Sequence, residues 1–209
     1  MQRTAPRHFS MVREFHLADF FTLGNAACGV GAILLAMLYM ASGSKGHLYA
    51  AAALAPAAFI LDVLDGRIAR ARHQHSALGR ELDSLSDVIS FGVAPAALGF
   101  AVGLQGGWDA AALIYFVCCG VSRLARYNVT AEQLAGDESG KVKYFEGTPI
   151  PTSVLLTAIL AFAAWQDRVG VQLWGGAFEL GPWQLHPLAL LFVLSGSLMI
   201  SKTLRIPKL

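Results

Sequence analysis

Charge is scarce in this chain of 209 residues: Asp, Glu, Lys and Arg make up 14% of it and hydrophobic residues 55%, with a mean hydropathy of +0.52. That scarcity excludes an ordinary water-soluble domain and predicts a polytopic membrane protein. Cysteine is nearly missing. Cys28, Cys118 and Cys119 all fall within apolar stretches and form no CxxC pattern, which excludes a disulfide framework or a thiolate metal site and leaves them as small buried hydrophobes. The N-terminal region has Arg3, Arg7 and Arg13 but lacks a small-residue cleavage site after a short apolar core, so no removable signal peptide is expected. Repeats and low-complexity tracts are missing as well, and one domain is expected. A formal net charge of +2 offers no basis for a nucleic-acid partner.

What the chain does have is long apolar runs. Six of them, near 18–41, 48–71, 84–104, 108–127, 150–166 and 186–203, approach the roughly 20 residues that cross a bilayer core of about 30 Å. The fold class that follows is all-α, with six transmembrane helices over residues 18–209. Residues 1–17 form an N-terminal segment, in which 8–17 mix Phe, Met, Val and Leu with charge and predict a short interfacial helix. Gly43, Ser44 and Gly46 mark one outer turn and Gln105-Gly106-Gly107 another. The polar, basic stretch 71–83 reads as an inner connection. Residues 129–148 read as an inner loop or short interfacial helix, and 167–185 as an outer loop with Trp174 and Trp183 at the interface. With the N-terminus inside, 14 of the 16 Lys and Arg residues are cytoplasmic and only Lys45 and Arg168 are not, which predicts both termini at the cytoplasmic face. That basic face suits anionic lipid headgroups and a phosphate-bearing substrate.

Four aspartates, Asp62, Asp65, Asp83 and Asp87, interrupt or border these runs. A carboxylate at membrane depth is costly and is a functional-site candidate by default. Asp62, Asp65 and Ala69 are spaced 3 and then 4 apart, and Asp83 and Asp87 are 4 apart, so on helices each set shares a face. Clustered carboxylates repel one another unless a cation neutralises them, and hard oxygen donors select Mg²⁺, Mn²⁺ or Ca²⁺ over zinc. One or two such ions can bridge a diphosphate. Gly66 lets a ligand approach the helix backbone, and Gly79 does likewise or allows close packing. Arg70, one turn on, suits either a phosphate contact or an interfacial cation. Gly24, Gly29 and Gly31 with Ala26 and Ala27 give the first span a small-residue packing surface. Asn25 on that span either points at the site or bonds a neighbouring helix. His73 and His75 form an HxH on a basic stretch and read as solvated.

The full pattern from Asp62 to Asp87 is D-x2-D-G-x2-A-R-x8-G-x3-D-x3-D. It resembles the signature of the CDP-alcohol phosphotransferase family without a gap or substitution. In that family the first three motif aspartates ligate divalent metal, the fourth lies near the metals and is regarded as the general base, and the glycine and arginine positions contact the CDP moiety. The resemblance therefore implies Asp62, Asp65 and Asp83 as ligands of Mg²⁺ or Mn²⁺ and Asp87 as ligand or base. It also implies a nucleotide pocket lined by Asn25, Asp62, Gly66, Ala69, Arg70 and Gly79. The reaction implied is attack of an alcohol on a CDP-linked phosphorus with release of CMP, in a protein that dimerises as relatives of this fold do.

Further segments resemble the bacterial and archaeal phosphatidylserine-forming subgroup of that family, which is embedded in the cytoplasmic membrane. They are Thr22-Leu23-Gly24-Asn25, Glu81 to Asp87, Ser90-Phe91-Gly92-Val93-Ala94-Pro95, Arg123-Leu124-Ala125-Arg126-Tyr127-Asn128 and Phe145-Glu146-Gly147-Thr148-Pro149-Ile150-Pro151. Thr148 departs from the Leu or Met most common there. The substrates this resemblance implies are CDP-diacylglycerol and L-serine. Arg123, Arg126 and Asn128 end the fourth span at the cytoplasmic face, where a cation and an amide suit a carboxylate such as that of serine; the alternative is that both arginines are positive-inside anchors. Gly147, Pro149 and Pro151 make a rigid turn beside the site or start the fifth helix. Glycerol phosphate, inositol phosphate or another small alcohol are the competing acceptors. An ion-coupled transporter is the competing class, since intramembrane carboxylates also mark ion pathways.

Overall fold

The computed structural model describes residues 17–71, 77–135, 144–201, 203 and 205–207. The chain is mostly helical. Helix α1 (Leu17–Ser42) turns back at Gly43 into α2 (Lys45–Ala71). Helix α3 (Ala77–Asp87) runs through a π-helical segment, Val88–Val93, into α4 (Ala94–Val102), and the three form one rod. Helix α5 (Gly107–Ala135) follows. A 3₁₀ turn at Ile150–Ser153 leads into α6 (Val154–Trp165), and α7 (Ala189–Ile200) ends the helical set. Short strands accompany the helices, which a purely helical reading does not anticipate. β1 (Tyr144–Glu146) pairs antiparallel with β4 (Arg205–Pro207), and β2 (Phe178–Leu180) with β3 (Trp183–Leu185).

Among the described residues, four helices are long and apolar enough to cross a membrane: Leu17–Ser42, Lys45–Ala71, Leu78–Val102 and Gly107–Val129. These match the first four expected spans. The last two, Ile150–Trp165 and Ala189–Ile200, are shorter than the roughly 20 residues of a full crossing. The expected inner connection over 71–83 is corrected in its second half, because α3 begins at Ala77 and carries Gly79 and Asp83 on a helix. Similarly, α5 continues to Ala135 into what reads from the sequence as a loop. The expected interfacial helix at 8–17 and the residues His73 and His75 lie outside the described residues.

The packing is inverted relative to a soluble protein. On α1 the buried positions are Ala18, Thr22, Asn25, Gly29, Ala32 and Ala36 with Asp19, while Leu23, Val30, Leu34, Met37 and Leu38 on its other faces are exposed. Small and polar side chains on one stripe let helices approach closely where apolar side chains gain nothing by leaving lipid. Gly29 uses that closeness most: a Cβ there would meet the Ser90 backbone at 2.7 Å, and the Ser90 hydroxyl donates to the Asn25 carbonyl at 2.7 Å. The π segment has a local cause. Pro95 has no N–H to return to the preceding turn, and the Ala94 N–H reaches back five residues to the Ile89 carbonyl.

At the opposite end, the β2–β3 hairpin covers the start of α5. Trp108 donates from Nε1 to the Leu180 carbonyl at 2.8 Å, and Trp108 and Trp183 meet edge to face at 5.1 Å. Buried Asp109 accepts from the His186 backbone N–H at 2.7 Å and pairs with His186 Nδ1 at 2.6 Å. On the other end, the turn at Gly147 adopts φ +72° and sits against the carbonyls that close α7. There the Thr148 N–H donates to the Leu198 carbonyl at 3.2 Å.

Candidate active site

Helices α2 and α3 bring their aspartates together across the gap between them. Oxygens of Asp62, Asp83 and Asp87 lie within 4.8 Å of one another. Asp87 is buried and the other two are half-buried. Because α3 is helical from Ala77, Asp83 and Asp87 share one face, as Asp62 and Asp65 do on α2. Asp65 is buried but stands outside the close trio, with its Oδ2 accepting from the Thr22 hydroxyl at 2.7 Å. Asn25, fully buried, donates from Nδ2 to Asp87 Oδ1 at 3.2 Å.

This donor set fits a divalent cation. Three carboxylates at such close range in a region shielded from water need a positive charge among them. Asp83 Oδ1 is buried with no hydrogen-bond partner, which in a native structure calls for an ion or ligand. All the offered atoms are carboxylate oxygens, the set that Mg²⁺ and Mn²⁺ take.

Gly66 is half-buried on α2, and a Cβ added there would meet only the tip of Arg70, at 3.5 Å. It is therefore not a helix-packing glycine within the described residues, and its bare side is free for a ligand. Arg70 is exposed one turn along and Ala69 is half-buried. Gly79 is half-buried on the first turns of α3.

On α5, Arg123 is 9% exposed, with its buried Nε lacking a hydrogen-bond partner. Arg126 is half-buried on the same helix. Asn128, expected to bind the acceptor, is buried on the same helix and has partners within the protein. Its Nδ2 lies 3.3 Å from each Glu81 carboxylate oxygen and 3.0 Å from Ser84 Oγ, so its amide ties α5 to α3. Four residues beside the site escape a reading of the sequence: Thr22, Glu81, Ser84 and Ser90. Thr22 had a signal, since Thr22, Asn25 and Gly29 follow the same 3-then-4 spacing that marks the aspartates. Glu81 and Ser84 had none beyond lying inside a segment that resembles the subgroup.

Comparison with known proteins accords with this geometry. A family model described as CDP-alcohol phosphatidyltransferase matches residues 15–194. A CDP-diacylglycerol–serine O-phosphatidyltransferase of Saccharomyces cerevisiae is 43% identical over 203 residues, covering 96% of this chain and 74% of the relative. One of the same name from Bacillus subtilis is 35% identical over 150 residues, 70% of this chain and 76% of the relative. An archaetidylserine synthase of Methanothermobacter thermautotrophicus is 37% identical over 142 residues, 66% of this chain and 54% of the relative. These relatives include a yeast, a wider range than the bacterial and archaeal resemblance of the segments. With a family model spanning most of the chain and three of the four motif aspartates gathered within 4.8 Å, the chain belongs to the CDP-alcohol phosphatidyltransferase family.

Proposed function

We propose that this chain transfers the phosphatidyl group of CDP-diacylglycerol to the hydroxyl of L-serine, releasing CMP and forming phosphatidylserine, a step of phospholipid biosynthesis. The observation that carries the reading is the meeting of Asp62, Asp83 and Asp87 within 4.8 Å in a chain whose relatives named for that reaction cover most of its length. In this reading one or two Mg²⁺ or Mn²⁺ ions are held by Asp62, Asp65, Asp83 and Asp87. When bound, such an ion neutralises the diphosphate and polarises its phosphoryl oxygen.

The chain's own residues do the rest. The bare flank of Gly66 receives the nucleotide, and Arg70 beside it meets phosphate oxygens. Ala69, Gly79 and Asn25 complete that wall. Arg123, Arg126 and Asn128 hold the serine carboxylate, and the Asn128 amide also joins α5 to α3 through Glu81 and Ser84. Asp87 accepts the hydroxyl proton as the serine oxygen bonds to the phosphorus that carries diacylglycerol. The bond from that phosphorus to the bridging oxygen breaks, and CMP departs with its electron pair. No covalent enzyme intermediate is required.

Residues 18–209 act as one domain of six spans, with the two shorter helices completing the set, and 1–17 precede it on the cytoplasmic side. The site lies at the cytoplasmic face, as the distribution of Lys and Arg supports. Exposed apolar side chains along α1 and α2 suit lipid and a second copy of the chain in a homodimer. A phosphorylated acceptor is the second reading, because two arginines also suit a phosphate.

Purified protein supplied with CDP-diacylglycerol and, separately, serine, glycerol phosphate, inositol phosphate or choline decides between them. Serine is expected to liberate CMP in a chelator-sensitive way. A strong response to another acceptor overturns the serine assignment and leaves the chemistry standing, whereas CMP release from none of them overturns the reaction itself.

A further inference from the structure

Helix α1 contributes no aspartate to the trio, yet it reaches the acidic site through two side chains on one face. Thr22 and Asn25 are three residues apart on it, and each donates to a different carboxylate on a different helix. The Thr22 hydroxyl meets Asp65 Oδ2 on α2 at 2.7 Å, and Asn25 Nδ2 meets Asp87 Oδ1 on α3 at 3.2 Å. We propose that Thr22 is a positioning residue of the metal site: its hydroxyl fixes the Asp65 carboxylate so that a divalent cation meets a preset acidic cluster rather than a mobile side chain.

Three observations carry this. First, the hydroxyl has one proton and two acceptors in reach. A threonine within a helix ordinarily donates to the carbonyl four residues back, and that carbonyl, of Ala18, lies at 3.2 Å. The carboxylate at 2.7 Å is the shorter contact, in the range of a charge-assisted bond. Second, both partners are buried, Thr22 at 3% and Asp65 at 5% exposure, so neither has water to replace the other, and a carboxylate there without its donor is left with an unmet acceptor. Third, α1 cannot shift to spoil the contact. Gly29, seven residues on from Thr22 and on the same face, lies against the Ser90 backbone, and Ser90 is hydrogen-bonded to the Asn25 carbonyl. The helix that carries the donor is thereby docked on the rod that carries Asp83 and Asp87. Outer-sphere donors of this kind orient ligands and tune affinity in metal sites generally.

The inference rests on the proposed metal site, and its test separates the two. Manganese binding to the full-length purified protein, without lipid substrate, is titrated by electron paramagnetic resonance of free Mn²⁺ for wild type, Thr22→Val and Thr22→Ser. Valine keeps the shape and removes the donor, and serine keeps the donor. The expected result is Mn²⁺ affinity about 10-fold weaker or more in Thr22→Val. Thr22→Ser is expected to stay within about 3-fold of wild type, and both variants to keep the wild-type KM for serine at saturating Mn²⁺. A merely structural role for Thr22 would lower thermal stability and the affinity for both substrates together, and that pattern overturns the proposal. Unchanged Mn²⁺ affinity in Thr22→Val overturns it too, as does a Thr22→Ser variant that fails as the valine does. If wild type itself binds no Mn²⁺, the metal reading falls and this inference falls with it. Should Thr22→Val not fold, Thr22→Ala carries the same expectation.

Discussion

Asp87 and Gly66 show how differently two motif residues are placed. Asp87 is buried in the close trio and takes a hydrogen bond from Asn25, so an amide in its place keeps the shape and removes the base. Asp87→Asn is expected to slow CMP release by about 10²- to 10⁴-fold while CDP-diacylglycerol still binds, measured by single-turnover transfer beside a binding assay; near-normal transfer would move the base elsewhere. Gly66, by contrast, has room for a methyl group, since a Cβ meets only the flexible end of Arg70. Gly66→Ala should therefore leave the melting temperature in detergent unchanged and raise the KM for CDP-diacylglycerol, and a melting temperature that falls instead would make it a packing residue. Both roles were legible from the letters and their spacing. The partners were not: Thr22 with Asp65, and Asn128 with Glu81 and Ser84, join residues 43 to 47 positions apart, and no local rule links them.

Among the elements, the rod formed by α3, the π segment and α4 departs most from the sequence reading. Polar residues over 77–83 resemble a loop by composition, yet they begin a helix, whose four-residue spacing puts Gly79, Asp83 and Asp87 on one face. Composition records the exposure of a helical end as readily as that of a loop, which is why the boundary was missed. The contact between α1 and this rod depends on Gly29. Gly29→Ala would press a methyl group onto the Ser90 backbone, where nothing flexible can yield. A cost of about 1–3 kcal/mol is expected from such overpacking, read as a lower melting temperature together with reduced transfer. Gly147→Ala should also destabilise the protein, since its φ of +72° disfavours any side chain and the Leu198 carbonyl stands 2.9 Å from a Cβ there. A wild-type melting temperature for either variant would show that the helices relax more freely than their contacts suggest.

For the molecule as a whole, the asymmetry of Lys and Arg predicts which end faces the cytoplasm. In a chain freed of Cys28, Cys118 and Cys119, a membrane-impermeant maleimide added to intact cells should label Val171→Cys in the outer segment, where the side chain is exposed. It should spare Ser201→Cys at the end of α7, and the reverse pattern would invert the topology. Chelation by EDTA should abolish CMP release, with recovery on adding Mg²⁺ or Mn²⁺; activity that persists after exhaustive chelation would remove the metal from the mechanism.

Composition and spacing by themselves determined that this chain lives in a membrane, that its carboxylates fall on two helical faces, and which family it resembles. Hydropathy follows from which residues are present and a helical face follows from their interval, so neither needs long-range contacts. Only the tertiary structure decided that Asp62 sits with Asp83 and Asp87 while Asp65 turns to Thr22, that α1 docks through Gly29 onto a π segment, and that Asn128 faces Glu81. Those outcomes depend on how closely separate helices approach and which buried polar atoms then find a partner, and interval along one helix is silent about distance to another.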